Sequence, residues 1–400
     1  MNLGDVFTSI AYKELVQVDL PEGSNQHEIN VNRSMKEFFR TSDKITCQIQ
    51  WYYFSDNKET IHNTYSVTFY DSRARGAHLT GRSEFRLYYE GDFLRTASSG
   101  DVLVLAQTAT DEIYGLVFQK DSAWLSAVTA LFQLGGATRK YKVVSEDTLN
   151  NQDLELAGRI LLEELGIEST LEPALNDEAL MLENFGKIFP STKIMTDFAR
   201  AQISELNPFE SDIALIALLE REEQLFRALE RVLVQEKLDQ GFESVEEFIE
   251  YSKSVQNRRK SRMGHSLQHH LAFLFQENGL KFKPQGTTEH KNKPDFLFPG
   301  ELEYRNPAFD AAHLFMLAAK STAKDRWRQI LTEANRIPKK HLCTLEQAIS
   351  RDQTDEMRRK GVYLVVPASF HSTYLPIQQR ELLSLHSFIE LVRERQSLGS

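Results

Sequence analysis

The chain has 400 residues, 41% apolar and 26% charged, with a formal net charge of −10 at pH 7; that is longer than one hydrophobic core usually serves, so two domains are expected. No run of about 18 uninterrupted apolar residues occurs, which argues against a membrane span, and Met1 to Leu15 lacks the basic-then-apolar layout of a secretory signal. Cys47 and Cys343 are the only cysteines, which disfavours a disulfide framework or a cysteine zinc site and fits a reducing cytoplasm.

Residues 1 to about 150 read as mostly β. Ile45 to Phe54, Asn63 to Phe69, Glu84 to Tyr89, Val102 to Gln107 and Glu112 to Lys120 are short β-branched or aromatic runs. Polar turns such as Asp56-Asn57, Gly91-Asp92 and Ser99-Gly100 separate them, a spacing that predicts a barrel or sandwich. Arg73, Arg75, Arg82, Arg86 and Arg95 collect around these strands. From Asp153 to Leu165 a helical stripe (Leu156, Ile160, Leu161, Leu165) stops at Gly166, and the polar stretch Glu168 to Asp177 reads as a linker. A helix-and-linker segment over 151–180 thus divides a β domain at 1–150 from a second domain at 181–400.

Ser211 to Leu238 is long, amphipathic and acidic, closed by Gly241. Ser266 is placed to cap a helix whose apolar face is Leu267, Leu271, Leu274 and Phe275. Asp295 to Phe298 and His313 to Ala319 read as strands, and Thr322 to Arg336 as a helix with Trp327, Ile330, Leu331 and Ala334 inward. His341 to Leu345, a helix from Asp352 to Lys360, a strand from Val362 to Val366 and a final helix from Gln379 complete the pattern. Strands alternating with helices predict an α/β core around a largely parallel sheet.

Charge is unevenly placed. Residues 145–250 carry 8 Lys+Arg against 25 Asp+Glu, whereas 251–340 carry 17 against 8. Phosphate binding responds to local field, so the acidic whole-chain sum does not exclude nucleic acid; two differently charged solvated surfaces would give the same counts. Within the basic part, Arg258, Arg259, Lys260 and Arg262 form a run that suits phosphate contacts or a flexible basic loop. His265, His269 and His270 lack the carboxylate or cysteine that would complete a zinc site and read as helix-surface histidines.

Asp295 at a strand start, Lys320 at the end of the next strand and Glu333 on the following helix form the constellation that suits chemistry. Phosphodiester hydrolysis needs a hard cation held by carboxylates, and Asp295 and Glu333 supply them for Mg²⁺. Lys320 would orient or deprotonate the attacking water. Arg326, Gln329 and Glu333 would share a helical face. Arg suits guanine O6 and N7, and Asp suits cytosine N4, which makes Lys324, Asp325 and Arg326 candidate base readers. The competing reading is ordinary charge at a helix start.

The segments GFESVEEFIEYSKSVQNRRKSRMGHSL, NKPDFLFP, AAKSTAKDRWRQILTEANRI and GVYLVVPASF, in this order, resemble the catalytic domain of EcoRII-type restriction endonucleases, over roughly 180–400. The resemblance implies a restriction-endonuclease-like α/β/α core of the PD-(D/E)xK superfamily with a central mixed sheet. It also implies Mg²⁺ dependence, a homodimer, and double-strand cleavage of a short pseudopalindrome of CCNGG type, CCWGG for EcoRII itself. It assigns Asp295 and Glu333 as metal ligands and Lys320 as catalytic lysine. Arg259 and Lys324 become active-site or DNA contacts, and Lys324, Asp325 and Arg326 the readers of C·G pairs. Ala318 stands where the wider superfamily often carries its second acid, and Gln268 where the family has a glutamate. An amide there removes a negative charge and weakens the hold on metal. The segment TGRSEFRLYY resembles a DNA-reading strand of the family's N-terminal pseudobarrel, which assigns Arg82, Glu84 and Arg86 to DNA and makes 1–150 an effector or second specificity module. Rival expectations are a modification-dependent nuclease, a sequence-specific DNA-binding protein whose nuclease fold is crippled at Gln268, and a structural protein with no DNA partner.

Overall fold

The computed structural model describes residues 1–21, 27–74, 83–136, 138–167, 176–323 and 326–398. They form two compact units. The first takes in Met1–Ser169, Gln347–Ser350 and Ser372–Leu375, and the second Thr170–Glu346, Arg351–His371 and Pro376–Ser400.

The first unit is built on eight strands: β1 (Phe7–Glu14), β2 (Glu28–Asn30), β3 (Ile45–Phe54), β4 (Ile61–Asp71), β5 (Phe85–Tyr89), β6 (Val102–Thr108), β7 (Ile113–Phe118) and β8 (Lys142–Val143). Their order in the sheet is β2-β5-β4-β3-β7-β6-β1-β8. All pairs are antiparallel except β3 with β7. The five strands read from sequence are present; β1, β2 and β8 are additional.

Alternation along the strands sends successive side chains to opposite faces of this sheet, and both faces carry buried apolar residues. Ile49, Trp51, Tyr53, Leu103 and Leu105 pack on one face, and Phe54, Val102, Val104 and Ala106 on the other. Gly115 sits beside Trp51, where a Cβ would lie 2.6 Å from the indole, so no larger residue fits without displacing the ring. Leu161, Leu162 and Leu165 join the second face, so the helix Leu156–Glu164, expected in a connecting segment, is part of the first unit's core.

Side chains stitch the two ends of the sheet order, giving a pseudobarrel. The buried Lys13 ammonium of β1 pairs with Asp19 at 2.7 Å, and Asp19 accepts from the Asn30 amide of β2 at 3.2 Å. Asn32 and Ser34, just past β2, donate to the Tyr141 carbonyl, just before β8, at 3.0 and 3.2 Å.

The second unit has five strands: β9 (Lys283–Pro284), β10 (Phe296–Phe298), β11 (Phe315–Lys320), β12 (Lys340–Thr344) and β13 (Val362–Val365). They run in the order β13-β12-β11-β10-β9. The pairs β11–β12 and β12–β13 are parallel, while β10 is antiparallel to both its neighbours. The sheet is therefore mixed, not largely parallel. Phe275, near the end of the helix Val245–Glu277, meets Phe296 and Phe298 at 5.1 and 5.3 Å between ring centroids. Phe388 of the helix Leu385–Leu398 meets Phe298 at 5.8 Å. Among the described residues no helix is long and apolar enough to cross a membrane.

Three helix boundaries depart from expectation, the second and third because a side chain far away in sequence supplies a backbone partner. The helix expected to start at Ser266 starts at Val245 and runs 33 residues. Ser244 caps it by accepting from the Glu247 amide at 3.1 Å, and Ser266 is fully buried in mid-helix. The final helix starts at Leu385, not Gln379. There Asp212 accepts from the amides of Leu385 and His386, both at 2.9 Å.

The largest departure concerns residues 322–336. Among the described residues of this stretch only Trp327–Thr332 are helical, in a 3₁₀ turn, and Glu333 is already extended (φ −86°, ψ 142°). Ala334 follows at φ +49°. Helical hydrogen bonds are replaced by side-chain partners: Thr288 Oγ1 accepts from the Ala334 amide at 3.4 Å and Glu289 Oε2 from the Asn335 amide at 3.1 Å. Asn292 Nδ2 donates to the Thr332 carbonyl at 2.8 Å.

Candidate active site

The residues Gln268, Asp295, Lys320 and Glu333 all belong to the second unit; its sheet brings Asp295 and Lys320 into direct contact, and the helix Val245–Glu277 adds Gln268. Asp295 stands immediately before β10. Because β10 and β11 are antiparallel with Phe296 opposite Leu317, the start of β10 lies beside the end of β11, where Lys320 is the last residue.

Asp295 is 7% exposed and all its acceptor capacity is engaged, as burial of a carboxylate demands. Oδ2 accepts from the Ala319 amide at 2.8 Å and from the Lys320 ammonium at 2.9 Å. Oδ1 accepts from the Gln268 carboxamide at 2.9 Å and from the Gln285 carboxamide at 3.1 Å. Gln285 also donates its backbone N–H to the Asp295 carbonyl at 3.1 Å, so it grips that residue twice from a left-handed backbone position, φ +51°. Residue type gave no warning of Gln285; the Pro284-Gln285-Gly286 turn was its only local signal.

Glu333 reaches the same end of the sheet from an extended turn rather than a helix face. The stacking expected for Arg326, Gln329 and Glu333 therefore does not hold. Burial pushes the Glu333 carboxyl above its ordinary range, and the nearby Asp295 charge pushes it further, against the opposing fields of Lys320 and Lys340. Its Oε2 is buried with no hydrogen-bond partner among the described residues. Two carboxylates that repel each other, one with an orphan oxygen, form a donor set suited to a hard divalent cation.

Gln268 projects from the middle of the helix Val245–Glu277. Lys260, Gly264 and Gln268 follow one another at four-residue steps and so share a face. Gly264 looks toward Ser321, whose hydroxyl lies 4.0 Å from where a Cβ would stand. This places the exposed Lys260 on the stripe that leads to Gln268.

The rest of the basic run is committed elsewhere. Arg259 pairs with Glu230 at 2.6 Å. Arg262 is buried, 6% exposed, and pairs with Glu222 and Glu223 while its guanidinium lies over Phe226. Arg258 stacks on Phe189, 4.4 Å from the ring centroid. The expected flexible or phosphate-facing run is thus a helix segment whose Arg262 faces inward, which removes it from the exposed basic surface.

The acids at its core form one buried node. Glu222 accepts from Thr196 at 3.1 Å, His270 at 2.8 Å and Ser266. Burial alone would raise its carboxyl, but the hydrogen bond from His270 and the charge of Arg262 outweigh that and hold it low. Burial lowers His270 against the opposing pull of the Glu222 carboxylate, which lies 2.8 Å from its Nε2. Of the three histidines, His265 is exposed, His269 half-buried and His270 buried, and no group of three or more metal-ligating side chains occurs among the described residues.

Lys324 and Asp325 lie outside the described residues, as does Arg82. Arg326 is exposed at the start of the 3₁₀ turn. In the first unit, Glu84 precedes β5 and Arg86 lies on it. Arg86 pairs with Glu84 and Arg73 reaches the same carboxylate at 2.6 Å. The hydrogen bond and charge of Arg86 lead in holding Glu84 below the usual carboxylate range.

Residues 226–389 match the family model described as EcoRII C terminal. Over 234 residues, 58% of this chain, the sequence is 42% identical to the type II restriction enzyme EcoRII of Escherichia coli, and the match spans 57% of that enzyme's length. A solved structure of metal-depleted Ecl18kI in complex with uncleaved, modified DNA aligns at TM-score 0.46 and 17% identity, covering 58% of this chain and 87% of that one. The restriction endonuclease PspGI–substrate DNA complex aligns at TM-score 0.43 and 14% identity, covering 55% and 96%. Gln268, Asp295, Lys320 and Glu333 all lie within the segment that matches the EcoRII C-terminal family model.

Proposed function

We propose that this chain is a type II restriction endonuclease that cuts both strands of a short pseudopalindromic site of CCNGG or CCWGG type, acting as a homodimer with Mg²⁺. The observation that carries the reading is the Asp295 carboxylate, shared between Lys320 and Gln268, with the unsatisfied carboxylate of Glu333 close enough to feel its charge. The 42% identity to EcoRII supports it.

Asp295 and Glu333 would hold the cation, which supplies an acidified water and neutralises charge on the phosphate. Lys320 is held by Asp295 at the mouth of that site, placed to orient the attacking water and to offset charge building on the phosphorus oxygens. Ala319 fixes the Asp295 carboxylate from the strand side, so its direction is set before any ligand arrives. Gln268 offers an amide where a carboxylate would add a third negative charge.

DNA contacts fall to Lys260 along the helix and to Lys324, Asp325 and Arg326 ahead of the 3₁₀ turn, the last three as base readers; Arg258 and Arg259 would join them by leaving Phe189 and Glu230. In the first unit Arg82, Glu84 and Arg86 mark a second DNA-binding edge, which would give effector or additional site recognition. A cytoplasmic location follows from this reading.

A defined oligonucleotide library incubated with the protein and Mg²⁺, with fragment ends mapped, tests the proposal. Site-specific double-strand cuts that vanish with Asp295→Ala are expected; no cutting over a range of protein and metal concentrations would sink it. Gln268 favours one alternative, a sequence-specific DNA-binding protein with an impaired nuclease centre. That reading predicts binding without cleavage by this chain and cleavage by its Gln268→Glu variant.

A further inference from the structure

The turn that carries Glu333 is held by a buried lysine that no part of the proposed chemistry uses. Lys340 opens β12 and is 6% exposed. Its ammonium donates to three carbonyls of one short segment: Glu333, Ala334 at 3.0 Å and Ile337 at 3.2 Å. Three donors are all that an ammonium has, so its hydrogen-bonding capacity is spent on that backbone. No carboxylate lies within ion-pair distance of it among the described residues. Nothing compensates the burial of this charge except the turn and the more distant fields of Glu333 and Glu289. A buried cation held by carbonyls alone is costly unless it fixes a conformation the chain would not otherwise keep. The turn is such a conformation, with Glu333 extended and Ala334 left-handed.

We propose that Lys340 is a positioning residue for the second acid: its ammonium, bonded to the carbonyls of Glu333, Ala334 and Ile337, holds the Glu333 turn against Asp295 so that both carboxylates can share one divalent cation. The inference rests on the reading of Asp295 and Glu333 as metal ligands. Lys340 touches neither DNA nor metal in this arrangement; it acts through the backbone of Glu333. The β12 register secures it from behind, its own amide donating to the Gly361 carbonyl at 2.8 Å.

The test is Mn²⁺ binding to the DNA-free full chain, followed by electron paramagnetic resonance, alongside DNA binding in metal-free buffer. Lys340→Met keeps the side-chain length and removes the donors; Mn²⁺ affinity is expected to fall by about tenfold or more, the scale seen when groups supporting a metal's ligands are lost, with metal-free DNA affinity unchanged. Lys340→Arg retains the charge, but its planar fork cannot serve three carbonyls as a tetrahedral ammonium does, so a smaller loss is expected. Arg is the deciding variant if Met does not fold by circular dichroism. Wild-type Mn²⁺ affinity in either folded variant overturns the proposal. Asp295→Ala and Glu333→Ala serve as controls: if they keep Mn²⁺, the metal-ligand reading itself has failed, whereas if they lose it and Lys340→Met does not, only the role of Lys340 is wrong.

Discussion

Gln268 donates a 2.9 Å hydrogen bond to Asp295 Oδ1, a contact that a glutamate in its place could not make without a proton. Gln268→Glu would bring a third carboxylate toward Asp295 and Glu333. Without metal the variant is expected to be less stable by about 1–3 kcal/mol, because a buried acceptor loses its donor and gains a like charge. Mg²⁺ should reverse that loss and bind more tightly than in the parent chain. Thermal unfolding with and without Mg²⁺ checks both parts; a variant whose melting temperature responds to Mg²⁺ no more than the parent's would contradict them.

Lys320 and Asp295 form a second coupled pair, with Asp295 nearly buried and Lys320 partly covered. Lys320→Met should reduce cleavage by at least about 100-fold, the scale expected when a preorganised charge at the reacting phosphate is removed. DNA affinity in metal-free buffer should stay within about twofold, since one partly covered lysine contributes little to the total phosphate contact. Measuring the single-turnover cleavage rate and DNA affinity in parallel decides it. Equal losses in both would make Lys320 a DNA contact instead.

His341 lies in β12 beside Phe388, 5.1 Å between ring centroids, with Phe315 and Tyr363 close by. Burial pushes its imidazole down to about 4, and the Lys339 charge adds to that shift. Its folded value is thus below its unfolded one near 6.5, so the stability it contributes is present above pH 6.5 and lost as pH falls toward 4. The amount at stake is about 3 kcal/mol. Denaturant unfolding of the second unit should therefore weaken between pH 7 and pH 4.5, and His341→Leu should flatten that dependence. An unchanged slope in the variant would remove His341 as its cause.

The strands were legible in the sequence because their signals are local: Ile45–Phe54 alternates along one strand, and Phe315–Lys320 is a continuous apolar run ending in the lysine. Asp295 and Lys320 were legible for the same reason, since each sits at a strand end. What escaped was set by partners distant in sequence. The helix Val245–Glu277 buries Arg262, Ser266 and His270 on its inner face, which hides the apolar period normally used to find a helix. Those polar groups are tolerated because Glu222, on another helix, bonds to all three. Residues 327–336 have a helical pattern with Trp327, Ile330 and Ala334 all buried, yet Thr288, Glu289, Asn292 and Lys340 claim the backbone groups a helix would have used. No local rule contains those four residues.

The same node separates two residues that looked alike in the basic run. Arg262 is buried against Glu222 and Glu223, while Lys260 is exposed on the stripe leading to Gln268. Arg262→Ala removes the guanidinium from the buried Glu222 and leaves Glu223 with Arg227 alone, and should cost about 3–5 kcal/mol of stability, as expected for a broken buried pair. Its effect on DNA should be confined to the loss of folded protein. Lys260→Ala should leave stability within about 0.5 kcal/mol, as for an exposed surface substitution. It should lower the slope of log affinity against log salt by about one, the loss of a single phosphate contact. Unfolding curves and salt titrations of DNA binding on both variants separate the roles. If Arg262→Ala changed the salt slope while keeping its stability, the helix would have to present that guanidinium to DNA, and the buried node would not describe the DNA-bound chain.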